Sequence, residues 1–169
     1  MSDYYTQFSE GLALSSQEQA DWCRAQLDAD KLQRLREEAA DHYPAAGKIV
    51  VPDWAKDLVL AEHILCGEDA DFQWEIAPSG IEGKFDLQMY SEENCDIDGV
   101  IEFVQQFLKK FGPDHHFTMT WASTCSKMAV GGFGGGAAYI TADKVEYVNA
   151  HEWAAQKSRT AGPPYNVKN

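Results

Sequence analysis

The chain begins with strand-like residues and then changes to helical spacing. Residues 3–8 are rich in strand-favouring aromatics, and we expect Gly11 to end that strand. Ser15 and Glu18 have the spacing of a capping box, and the apolar residues after them recur at helical intervals. The pattern therefore predicts a strand followed by a helix that begins at Ser15.

Two further helical patterns follow. The first is an apolar stripe among alternating charges that continues to about His42, where Tyr43-Pro44 ends it. In the second, the stretch 54–65 places apolar residues on one helical face, although residues 58–60 fit a strand equally well. The sequence leaves helix and strand both open for this stretch.

Further along the chain, apolar residues recur at every second position. Apolar and polar residues alternate over 72–76 and again over 85–89. Pro78-Ser79-Gly80 lies between them and supplies turn residues. These segments predict an antiparallel hairpin.

Residues 97–111 form the clearest amphipathic pattern in the chain. Asp96 is placed to cap the amino terminus of this helix, and Gly112-Pro113 is expected to stop it. A long helix is therefore inserted after the hairpin.

Three more segments have strand character, namely 117–121, 138–141 and 145–149, the last two joined by a turn at Asp143-Lys144. Strands joined by short turns predict an α+β fold, in which an antiparallel sheet of about four to six strands has helices packed on one face. We expect a single domain over residues 1–169, with a loose tail at 161–169.

Composition limits the classes of partner. The chain has 44% apolar residues, which is enough for a core, and a formal charge of -13 from 27 acidic and 14 basic residues. Such a field repels phosphate backbones and anionic lipids, so direct nucleic-acid binding and membrane binding are not expected. The same charge suits a protein that docks on the basic surface of a protein partner.

We expect a cytoplasmic protein. The first ten residues lack the basic and apolar regions of a signal peptide, and no apolar run is long enough to span a membrane. The four cysteines contain no C-x-x-C pair, so we expect reduced thiols and no cofactor.

The segment 130–137 holds five glycines in six consecutive positions. It is neither a Walker A motif nor a dinucleotide-binding motif, because a strand is expected after it where those motifs need a helix. A glycine-rich hairpin connection or bulge explains it, and close approach of a ligand or partner is the functional alternative. The candidate binding residues are Trp121, Lys127, Gly132, Phe133, Gly134, Gly135 and Gly136.

Cys125 is the candidate nucleophile, because Lys127 nearby would favour its thiolate. A nucleophilic cysteine also needs a base, which His115, His116 or His151 could supply if the fold brings one of them near. A buried, inert thiol is the simpler explanation of Cys125.

Asn94, Asp96 and Asp98 place oxygen ligands at alternate positions ahead of Gly99, as in part of a calcium-binding loop. The closing position holds Gln105 where a bidentate glutamate is required. Helix capping by Asp96 explains the same residues, and we predict no metal site.

The sequence Trp-Ala-x-Thr-Cys-Ser-Lys at 121–127, followed by Gly-Phe-Gly-Gly-Gly-Ala at 132–137, resembles a set of small acidic proteins of unknown function. Bacteria, plasmids and phages encode them. The resemblance implies that Cys125 and the glycine-rich segment form one local structure, but it implies no activity.

The leading hypothesis is a non-catalytic acidic interaction protein, of the kind that mobile elements encode, docking on a basic protein partner. The alternative is a small-ligand binder or cysteine-dependent enzyme that uses Cys125, Lys127 and the glycine-rich segment. A third hypothesis is a homo-oligomer formed through the same segment and an aromatic face. The sequence contains no complete catalytic set, which favours the first hypothesis.

Overall fold

The computed structural model describes residues 3–41, 49–67, 72–127 and 132–160. The strands are β1 (Tyr4–Leu14), β2 (Gln73–Pro78), β3 (Phe85–Ser91), β4 (His116–Cys125), β5 (Gly134–Thr141) and β6 (Val145–Asn149). The helices are α1 (Gln17–Gln26), α2 (Ala29–Asp41), α3 (Ala61–Leu65), α4 (Ile97–Phe111) and α5 (Ala150–Thr160), with a 3-10 turn at Asp53–Ala55. The fold is α+β, as the sequence predicts.

The six strands form one antiparallel sheet in the order β2-β3-β1-β4-β5-β6. β1 pairs with β4 only over Tyr4–Gln7, whereas Phe8–Leu14 pairs with β3 alone. β4 meanwhile stays paired with β5 from His116 onward. The sheet therefore opens between β1 and β4 into a gap that we call the β1/β4 fork.

One face of the sheet and the apolar stripes of the helices share a single core. Burial alternates along β1, where Leu12 and Leu14 are buried and Gly11 and Ala13 are exposed. Trp22 of α1 stacks on Phe103 of α4, with ring centroids 5.7 Å apart. Aromatic contacts thus join these two helices beneath the sheet.

β1 is longer than predicted, because Gly11 does not end it. Gly11 lies opposite Gln88 of β3, and the strand continues to Leu14. Burial of Leu12 and Leu14 on the core face outweighs the poor intrinsic fit of glycine to a strand.

α1 begins one residue later than predicted. The Ser16 hydroxyl accepts the backbone N–H of Gln19 at 3.3 Å, and Gln19 Oε1 accepts the backbone N–H of Ser15 at 2.6 Å. The capping pair is therefore Ser16 and Gln19 instead of Ser15 and Glu18.

The stretch 54–65 is neither one helix nor a strand. Its first residues belong to the 3-10 turn, and α3 occupies only its end. The hairpin of β2 and β3, the capped helix α4 and the turn between β5 and β6 are confirmed. The predicted break at Tyr43-Pro44 and the predicted tail at 161–169 lie outside the described residues.

α5 was not predicted. Its amino terminus is capped by Asn149, whose side-chain oxygen accepts the backbone N–H of His151 at 2.9 Å. In the part of the chain that the structure describes, neither α5 nor any other helix is long and apolar enough to cross a membrane.

Candidate interaction surface and the predicted site residues

Four of the eight residues of the glycine-rich segment 130–137 belong to the sheet, and residues 130–131 lie outside the described residues. Gly134–Gly136 begin β5 and pair with Trp121–Ser123 of β4. A Cβ atom on Gly136 would lie 2.2 Å from Cζ2 of Trp121, so the indole lies directly against this glycine. The packing of Trp121 therefore requires a residue without a side chain at position 136.

The two preceding glycines are also explained by packing. A Cβ atom on Gly134 would lie 2.8 Å from the imidazole of His151. Gly135 has φ +142°, in the region that favours glycine, and a Cβ atom there would lie 2.2 Å from the carbonyl oxygen of Trp121. Gly134 and Gly135 thus have structural roles in joining β4, β5 and α5.

The other predicted binding residues of this region differ in their exposure to solvent. Gly132 is buried, whereas Lys127 is exposed and the Phe133 side chain is 49% exposed. Lys127 and Phe133 are therefore available to a partner, and Gly132 is not.

Cys125 is 7% exposed and lies at the end of β4. His116 lies at the start of the same strand, so about 30 Å of extended chain separates it and its neighbour His115 from the thiol. The fold does not bring these two histidines to Cys125. His151 lies nearer, because it packs on Gly134 at the Cys125 end of the sheet.

The remaining cysteines differ in environment. Burial raises the pKa of the Cys23 thiol to about 12, so this thiol stays protonated at neutral pH and is a poor nucleophile. Cys66 is exposed and Cys95 is half-buried.

Of the three residues that resemble part of a calcium-binding loop, Asp96 instead caps α4 and contacts His63. Asp96 Oδ1 accepts the backbone N–H of Asp98 at 3.2 Å, and Asp96 Oδ2 lies 2.5 Å from Nε2 of His63. Asn94 and Asp98 are exposed. Among the described residues, no group of three or more His, Cys, Asp or Glu side chains is arranged to hold a metal ion.

Negative charge is concentrated in one part of the chain. Residues 57–108 contain 13 acidic residues and one basic residue, Lys84, so this segment has a formal charge of -12. Residues 109–169 instead contain 4 acidic and 7 basic residues. The overall charge of -13 conceals this asymmetry, which can be counted directly from the sequence.

The fold brings several of these acids together. His63 of α3 lies 2.5 Å from Asp96 and, through Nδ1, 3.9 Å from Glu102 of α4. The loop after β3 is held to β1, because the N–H of Thr6 donates to the carbonyl of Glu93 at 2.6 Å. We call these acids the acidic surface: Glu62 and Glu102, which line one cleft, Glu92 and Glu93 in the loop that leads to Asp96, and Asp98 in the first turn of α4.

A cleft of about 700 Å³ borders the acidic surface. Glu62 and Glu102 line it together with Lys56, and Val50 on its rim is 77% exposed. Ile49 beside it is 37% exposed. Carboxylates and apolar side chains are thus presented to solvent next to each other.

Comparison with protein-family models, with curated proteins and with solved structures gives no match to this chain. The resemblance to small acidic proteins of unknown function therefore stays a prediction.

Proposed function

We propose that this protein is a non-catalytic interaction protein that binds a basic protein partner through the acidic surface. The observation that supports this proposal is the concentration of charge, since residues 57–108 have a formal charge of -12. A field of one sign accelerates association with a partner of opposite charge and rejects partners of like charge.

Some acids elsewhere in the chain pair with nearby bases. Asp21 pairs with Arg24 at 2.9 Å, and Glu146 pairs with Lys144. Within 57–108 the only lysine or arginine in the sequence is Lys84, in the hairpin turn, and Lys56, which lines the cleft beside Glu62, pairs with Asp53. Lysines and arginines of a partner would form charge-assisted hydrogen bonds with the exposed carboxylates of Glu62, Glu92, Glu93 and Asp98.

The proposal predicts a partner that depends on the acidic surface. In the test variant, four exposed acids are made neutral: Glu62→Gln, Glu92→Gln, Glu93→Gln and Asp98→Asn. The matched control neutralises four acids outside the acidic surface, two in the first turns of helices and two in turns. They are Glu18→Gln, Asp30→Asn, Asp114→Asn and Asp143→Asn. Both variants remove the same charge from the same kinds of position.

Each tagged protein is used to capture partners from cells that carry its gene, and bound proteins are identified by mass spectrometry. We expect a basic partner that binds the wild type and the control. It should be released at about 1 M salt, where the Debye length is about 3 Å. The test variant should retain about tenfold less of it. A partner that binds both variants equally and resists salt would contradict the proposal.

A further inference from the structure

A second cleft, of about 370 Å³, lies in the β1/β4 fork. It is at the carboxyl end of β1, away from the residues of β1 that pair with β4. Its apolar floor is formed by Leu12, Phe107 and Phe111. Strand backbone borders it on two sides, at Gly11 and Ala13 of β1 and at His116 of β4. The volume is within the range of small-molecule sites.

Backbone hydrogen-bonding groups of β1 point into this cleft. The N–H of Thr6 donates to Glu93 on the β3 side, and backbone groups alternate in direction along a strand, so odd-numbered residues of β1 face β4. In the paired part these are Tyr5 and Gln7, and in the fork they include Gly11 and Ala13.

Backbone hydrogen-bonding groups of β4 also point into the fork from its opposite edge. Thr120 directs its N–H towards β1, where Glu10 Oε1 accepts it at 2.8 Å, so the even-numbered residues of β4 face the fork. Thr118 and His116 are the next two such residues, and no ladder bond joins either of them to β1. The fork therefore offers backbone donors and acceptors on both sides of an apolar floor.

The described lining of the cleft contains two imidazoles, those of His115 and His116, and no other ionisable side chain. Of the described residues that line it, none is Asp, Glu, Lys or Arg, although 24% of the chain is charged. An ion would lose hydration on entering, and the Glu10 carboxylate in the fork already accepts the N–H of Thr120. A neutral molecule with hydrogen-bonding groups would satisfy the strand edges at much lower cost.

We propose that the β1/β4 fork binds a small neutral molecule that has a planar apolar body and an amide-like donor and acceptor pair. The planar body packs on Phe107 and Phe111, and the amide pairs with the backbone of Gly11 or His116. This site is separate from the acidic surface and does not depend on the proposed partner.

The test uses three probes with one ring system and different charge: neutral 2-naphthamide, anionic 2-naphthoate and cationic 2-naphthylmethylamine. Binding is followed by nuclear magnetic resonance of the backbone amides. We expect 2-naphthamide to shift the amide signals of Gly11, Ala13 and Thr118. The charged probes should bind about tenfold more weakly or not at all.

A plug variant shows whether the probe occupies the fork. A Cβ atom on Gly11 would have nothing within 4 Å, and Gly11 has no positive φ, so Gly11→Leu is compatible with the fold. Gly11 lies on the exposed face of β1, so the added side chain would cover the fork from that face, which should weaken binding by about tenfold or more. The control Gln88→Leu adds the same side chain on the neighbouring strand, directly opposite Gly11 and away from the cleft.

Unchanged melting temperature with lost binding in Gly11→Leu, and full binding in Gln88→Leu, is the expected result. Equal binding of 2-naphthamide to Gly11→Leu and the wild type would overturn the location. Equal binding of 2-naphthoate and 2-naphthamide would overturn the neutral ligand class. Unshifted fork amides at the solubility limit of 2-naphthamide would overturn the site itself.

Discussion

At the scale of single residues, Gly136 shows how a residue suited to binding can instead be required by packing. Its pairing partner across the ladder is Trp121, and the indole occupies the space where a side chain would be. The sequence gives the glycines and the tryptophan but not their contact, because the contact depends on the register between β4 and β5. The glycine-rich segment is therefore explained by the sheet before any ligand is invoked.

We expect Gly136→Ala to destabilise the protein by about 1–3 kcal/mol. The new methyl group would lie 2.2 Å from the ring of Trp121 and 2.6 Å from the carbonyl oxygen of Val148, so both strands must shift. Urea unfolding measures the change. In the control Gly11→Ala the methyl group meets nothing within 4 Å, so little change is expected. Equal effects of the two substitutions would argue against the packing of Trp121 as the cause.

At the scale of elements, prediction succeeded where the signals are local. The alternation of β2 and β3 and the apolar stripe and cap of α4 are all visible in consecutive residues. α5 gave no such signal, because its described side chains are exposed and it has no buried stripe. The position of the α1 cap was missed by one residue, since two adjacent serines both fit the motif.

The cap can be assigned by two substitutions. We expect Ser16→Ala to cost about 1 kcal/mol, because it removes the hydroxyl that accepts the Gln19 N–H. Ser15→Ala keeps the backbone N–H that donates to Gln19 and should have a smaller effect. Chemical unfolding of both variants measures the difference. A larger loss from Ser15→Ala would restore the cap that the sequence predicts.

At the scale of the whole molecule, charge is distributed unevenly along the chain and through the fold. The segment 57–108 has a formal charge of -12, and His63 ties together three parts of it by contacting Asp96 and Glu102 from α3. Acids gathered in this way repel one another, which lowers stability in the absence of a partner. Self-repulsion of this kind is screened by salt.

We therefore expect salt to raise the melting temperature of the wild type, as followed by circular dichroism between low salt and about 1 M salt. The four-acid variant of the acidic surface should be more stable at low salt and respond less to added salt. The control variant should retain most of the wild-type response. Identical salt responses in all three proteins would show that the repulsion is not located at the acidic surface.

The sequence by itself determined the α+β class, most of the strands, α4 with its cap, and the excess of acidic residues, because periodicity, caps and charge depend on residues close together in the chain. Only the tertiary structure decided where β1 and β4 separate, that Trp121 covers Gly136, and that His63 joins Asp96 and Glu102. Each of these contacts joins segments distant in sequence, so strand register and helix packing fix them, and no local pattern records them.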